Sequence, residues 1–365
     1  MIQEGKIGAY EIVSLITISF MSKFFFVMPT WFSQVLGTAI CMGIIVSGLT
    51  SIIAFYFICL LMKRFPGKSL VEILQKVFGT IIGKTIIILI SIYGIAYTAI
   101  TLREFNDVLK TITLPSTPIS VIFIVCLLAM VILSCLGLES LARTASFFSI
   151  ALLIGLIAVY LLSAASFRPH RFFPLFGYGL DKIFYYGIWG SSSFIEIFLL
   201  AFFVNSLGGI KNLEKIGYIS IIISTISILL GFTIYTLLSP YYTRSEVISA
   251  AFHIVRTINL GKFFQRFEAI FLFEWILSGL FCLSLYFYFM VTLFAKAFSL
   301  NDYRPLLIPY AVLIFTTALL PPDFSFIVYK AIPFKLYAWI PFCGVPFLAL
   351  ITAVIRKQKE DRKHT

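Results

Sequence analysis

The sequence predicts an all-α membrane protein of about ten transmembrane helices, on three observations. Of its 365 residues, 60% are hydrophobic and only 12% charged, and no water-facing domain of this size carries such a composition. Mean hydropathy is +1.03. The apolar runs reach about 20 residues, the length a helix needs to cross a hydrocarbon core roughly 30 Å thick. They lack the alternation of a membrane β-barrel, and helices satisfy their own backbone N–H and C=O groups where lipid cannot.

Runs bounded by charge, proline and glycine place the spans at 11–34, 39–62, 83–102, 118–137, 146–166, 186–206, 216–238, 268–295, 305–320 and 336–355. The whole chain, 1–365, reads as a single polytopic membrane domain whose last residues, 356–365, form a basic tail. After the second span, Leu70, Ile73, Leu74, Val77 and Phe78 share one helical face opposite Glu72 and Lys76, which predicts a short interfacial helix. The first apolar stretch has neither a basic n-region before it nor a small-residue cleavage site after it, so it is expected to remain as a span.

A formal charge of +12 would point to nucleic acid in a soluble protein. Here the basic residues lie in connections and tail, and they read as topology signals. Lys63, Arg64, Lys68, Lys76 and Lys84 follow span two, and Arg356, Lys357, Lys359, Arg362 and Lys363 fill the tail, whereas Thr30 to Ile40 has no basic residue; both termini are therefore expected in the cytosol. The six cysteines are scattered through apolar segments without CxxC spacing and read as small helix residues, not as a metal site. His170, His253 and His364 lie in connections or tail with no HExxH or GxSxG pattern, so the chain is not read as an enzyme and no cofactor is expected.

Within the spans, polar residues single out a site. Lys23 lies midway along span one beside Ser22, with Pro29 beyond it. A lysine at that depth costs about 2.5–3.5 kcal/mol, which a partner or a water-filled cavity must offset unless the ammonium snorkels to the surface. Span six carries GIWGSSSFIEIF, where Gly190 and three serines, among them Ser193, interrupt an apolar helix just before Glu196. Each interruption falls in the first span of a half of about five, the arrangement expected of a midplane site between inverted repeats, about 11–166 and 186–355. Half-helix N-termini there would offer positive dipole ends to a carboxylate, which suits a small zwitterion. Tyr93 and Tyr97 on span three, and Cys282 and Tyr286 on span eight, share helix faces at four-residue spacing and are candidates for the same site. Four further groups have coupling or structural roles as the alternatives: Glu196, Glu274 inside span eight, and the i,i+4 pair Glu139 and Arg143. Arg103, Glu104, Arg266 and Glu268 are read as charges at span ends.

Several stretches together resemble the B subunits of spore nutrient-germinant receptors, the GerAB-like family of endospore-forming bacteria. They are LREFNDVLKTITLPSTPISV (Leu102 to Val121), GLESLAR (Gly137 to Arg143), FIEIFLL (Phe194 to Leu200), FFQRFEAIFLFEWI (Phe263 to Ile276) and LPPDF (Leu320 to Phe324). The resemblance implies the fold of the amino acid-polyamine-organocation transporters: two inverted five-helix repeats with helices one and six interrupted. It implies the inner membrane of a spore, a complex with A and C subunits, and an amino acid or other small nutrient as ligand. Carried over by position, the ligand site would comprise Ser22, Lys23, Tyr97, Ser193, Cys282 and Tyr286. One departure stands out: Lys23 occupies a break where relatives tend to have small residues. The alternative function is a secondary amino acid transporter coupled to protons or sodium, which fold alone does not separate from a receptor.

Overall fold

The computed structural model describes residues 7–244, 247–257 and 267–359, with the side chains of 267–271 excepted. The described chain is helical, with no strand among its elements. Seven of its helices are long and apolar enough to cross a membrane, and a bent pair makes an eighth candidate.

That pair is α1 (Ala9–Phe25) and α2 (Met28–Leu36), turned 61° at Phe26–Val27. Pro29 lacks an N–H for the preceding turn but fits the first turn of a new helix, and Gly37, at φ +64°, ends that helix. α3 (Ile40–Arg64) follows, with Lys63 and Arg64 at its negative end. α4 (Leu70–Phe78) opens on a capping box in which the Ser69 hydroxyl accepts from the Glu72 N–H and the Glu72 carboxylate accepts from the Ser69 N–H. It buries Leu70, Ile73, Leu74 and Val77, the apolar face expected of the short helix.

Next come α5 (Thr80–Ile112), α6 (Ile119–Cys135), α7 (Gly137–Ser163), α8 (Leu180–Phe203) and α9 (Ile210–Leu238). Two short helices, α10 (Tyr241–Arg244) and α11 (Ala250–Thr257), precede α12 (Phe267–Ala297), α13 (Leu307–Ala318) and α14 (Phe324–Ile355). α14 contains π turns at Ile327–Ala331 and Ile340–Gly344, beside Pro333 and Pro341, which accommodate the missing proline donors without ending the span.

Several boundaries differ from those expected. α5 runs to Ile112 instead of stopping near 102, because Arg103 and Asp107 pair with each other at 2.8 Å and remain inside the protein. α14 begins at Phe324 instead of 336, continuing through Lys330, Pro333 and Lys335. α7 and α8 also begin earlier, at Gly137 and Leu180. Arg266 and residues 360–365, with the tail's Arg362 and Lys363, lie outside the described residues, as does the Glu268 side chain.

α1 is central, packed on α7, α9 and α12; α3 packs on α8 and α9, and α5 on α12 and α13. Ile81, Leu128, Phe147 and Ile355 project from the outer surface, where lipid tails replace a protein partner. The ends of α3 and α4 meet the C-terminal segment at one end of the bundle: Arg356 donates to the Val77 carbonyl at 3.0 Å and Arg64 to that of Gln358 at 3.4 Å. α4 rests on α5 at Gly83, where an added Cβ would come within 2.5 Å of the Gln75 Cα. Backbone cannot swing aside like a side chain, so Gly83→Ala is expected to destabilise the protein by about 1–3 kcal/mol. Thermal unfolding of the purified variant in detergent checks this.

Candidate functional site

The bend in the first span leaves backbone donors at the start of α2 without intrahelical acceptors. One of them, the Val27 N–H, donates to Glu104 Oε1 at 2.7 Å. Glu104 comes from α5 and is 1% exposed. Its second oxygen accepts from Lys335 Nζ of α14 at 2.9 Å. The carboxylate thus caps the positive end of α2 and neutralises a lysine from the last span.

The interruption in α8 takes a different form. Leu180–Gly190 is α-helical, Ser191–Phe194 tightens into a 3-10 turn, and Ile195–Leu199 is α-helical again. The change of pitch sets the Ser193 carbonyl toward Lys23, whose ammonium donates to it. The same ammonium pairs with Glu196 Oε2 at 2.8 Å, at side-chain exposures of 8% and 0%. The Tyr286 hydroxyl donates to the other oxygen, Glu196 Oε1, at 2.5 Å. The Phe20 ring, its centroid 4.9 Å from the ammonium, completes the surroundings of Lys23.

The two ion pairs flank a cavity of about 450 Å³. Lys23, Tyr97, Ser193 and Ser192 line it, with Glu104 and Lys335 and the apolar walls Phe26, Trp31 and Ile332. Tyr97 spans the two pairs: Lys335 Nζ lies 5.2 Å from its ring centroid, and the Tyr286 ring meets it edge-on at 5.3 Å. Ser22 is fully buried and donates to the Ser19 carbonyl at 2.7 Å. Cys282, one turn before Tyr286 on α12, is also fully buried. Glu139 and Arg143 pair at 2.8 Å on the exposed first turns of α7, away from the cavity. Glu274 lines a separate cavity, treated below.

A sequence model of the family described as "Spore germination protein" matches residues 6–324. The chain belongs to that family. It is similar to spore germination protein KB of Bacillus subtilis (strain 168), 23% identical over 342 residues that cover 91% of this chain and 88% of the relative. It is likewise similar to spore germination protein A2 of the same organism, 24% identical over 319 residues, or 86% of each chain. With its apolar helices, this member of the spore germination family is an integral membrane protein.

In this spore germination protein, Glu104 and Lys335 escape the sequence reading because each stands where an apolar run meets a charge, and such places read as span ends. The available signal was the i,i+4 spacing of Arg103 and Asp107, which continues the helix past that point. Chemically, the cavity offers two lysine ammonium groups, serine hydroxyls and aromatic faces, with two carboxylates balancing the lysines. Of Lys335's three donors, one is used by Glu104 among the described residues.

Removing one member of a buried ion pair leaves the other charge without its partner, at a cost of about 3–5 kcal/mol. Lys23→Met and Glu196→Gln are each expected to lower thermal stability by about that amount. The double variant should lose clearly less than the two together, and a double-mutant cycle on purified protein measures the difference.

Proposed function

We propose that this chain is the membrane subunit of a spore germinant receptor and that it binds a small nutrient, an amino acid, in the cavity between the two broken spans. The observation that carries the reading is the cavity itself: it lies between Lys23–Glu196 and Lys335–Glu104, in a chain of the spore germination family. Two cations and two anions leave the quartet neutral, and a neutral, low-dielectric site favours a zwitterion over a net ion. The nutrient's carboxylate meets Lys335, which keeps donors toward the cavity, and its side chain rests on Phe26, Trp31 and Ile332. Ser193 and Tyr97 complete the contacts, with Ser22, Cys282 and Tyr286 behind them.

The reading includes ten spans, made of the seven long helices, the bent pair, and the shorter apolar helices α6 and α13. They divide into inverted repeats, about 11–166 and 186–355. Matching contacts support this division: α1 on α9 corresponds to α8 on α3, and α6 on α12 to α13 on α5. The first span of each half is broken and the fourth is short. Placement in the spore's inner membrane, with both termini cytosolic, accords with the basic cluster that joins Arg64, Val77 and the tail at one end. Binding changes the balance of conformations, which partner A and C subunits read.

Spores carrying Lys335→Ala should need at least about tenfold more nutrient for half-maximal germination, the equivalent of one lost charged contact. An unchanged dose-response at normal protein level would remove Lys335 from the site. Labelled amino acids should bind proteoliposomes of the purified chain without accumulating. Saturable, gradient-driven uptake would establish a transporter instead.

A further inference from the structure

A second cavity, about 470 Å³, lies against the opposite face of α1. Phe24 and Phe25 of α1, Leu156 of α7 and Ile254 of α11 form apolar walls, and the polar lining consists of Glu274 and Ser278 from α12. Lys23 and Phe26 face the first cavity, so the two are separated by the last turn of α1.

Glu274 has no cation or donor as partner among the described residues. Its carboxylate lies against Gly155, where a Cβ would collide with its oxygens, so the glycine makes the room it occupies. Ser278 is already committed, donating to the Trp275 carbonyl at 2.9 Å. A carboxylate among aliphatic and aromatic walls is costly without a positive partner. A metal cation does not fit, because calcium needs about 6–8 oxygen ligands and the walls supply carbon. An organic monocation does fit: one carboxylate satisfies its charge, the rings of Phe24 and Phe25 add cation–π attraction, and the walls receive its apolar body.

We propose that this second cavity is a binding site for a protonated primary amine with a short apolar chain or ring, its ammonium on Glu274 and its body against Phe24, Phe25 and Leu156. The site stands apart from the nutrient cavity and does not depend on its assignment.

The test titrates the full-length protein in lipid nanodiscs at neutral pH with n-hexylamine, and with 1-hexanol as the neutral analogue. Tryptophan fluorescence is the readout, since Trp275 lies beside Phe25 with ring centroids 6.4 Å apart, and empty nanodiscs correct for partitioning. Saturable binding of the amine is expected, about tenfold or more tighter than the alcohol, with Glu274→Gln losing about tenfold. Leu156→Trp, which fills the cavity and keeps the carboxylate, should abolish saturation and serves if Glu274→Gln does not fold. Lys335→Ala should bind the amine as the unsubstituted protein does, whatever its effect on germination. Equal binding of amine and alcohol, equal affinity in Glu274→Gln, or saturation retained in Leu156→Trp would overturn the proposal.

Discussion

A lysine midway along a bent membrane span, in the last turn of α1, is the constraint on which the rest of this structure depends. Lys23 is only 7% exposed, so its acceptors must come largely from the protein, and they come from a distant part of the chain. The Ser193 carbonyl and the Glu196 carboxylate both belong to α8. Glu196 in turn holds the Tyr286 hydroxyl of α12. One buried charge therefore fixes the register of three spans. Such a pair adds little net stability beyond an apolar substitute, because desolvation absorbs most of the attraction. Its consequence is specificity: any arrangement that separates α1 from α8 leaves two charges stranded.

The break in the first span obeys the same rule with the signs exchanged. There the uncompensated charge is the positive end of α2, and the group that meets it is a carboxylate, Glu104, itself held by Lys335. The two devices flank one cavity and use opposite polarity at opposite partners, so the walls carry both signs while the site as a whole stays neutral. Tyr97 contacts a member of each device through its ring.

These facts were unequally legible in the sequence. Lys23 and the glycine–serine run stand out because each interrupts a long, mostly apolar span, and both breaks follow from that contrast. The partnership of Lys23 with Glu196 crosses 173 positions and has no local signature. Glu104 and Lys335 both fall just outside the expected spans 83–102 and 336–355, for a specific reason. Reading every charge as a span end is sound for a helix bathed in lipid on all sides, but α5 and α14 turn one face into protein, where charges pair and the helix continues. The same applies to Pro333, which reads as a terminator and lies instead beside a π turn.

The two ion pairs also bear on how the proposed receptor could switch. To convert a population that is mostly resting into one that is mostly active, a ligand must bind the active form about 10⁴-fold more tightly, or about 5.5 kcal/mol. A small zwitterion has few contacts with which to supply that difference. It does so most economically where its own charges replace protein charges that the active form would otherwise leave unpaired. A cavity bounded by Lys23–Glu196 on one side and Lys335–Glu104 on the other is such a place, since any shift of α1 or α14 loosens a pair that the ligand is positioned to complete.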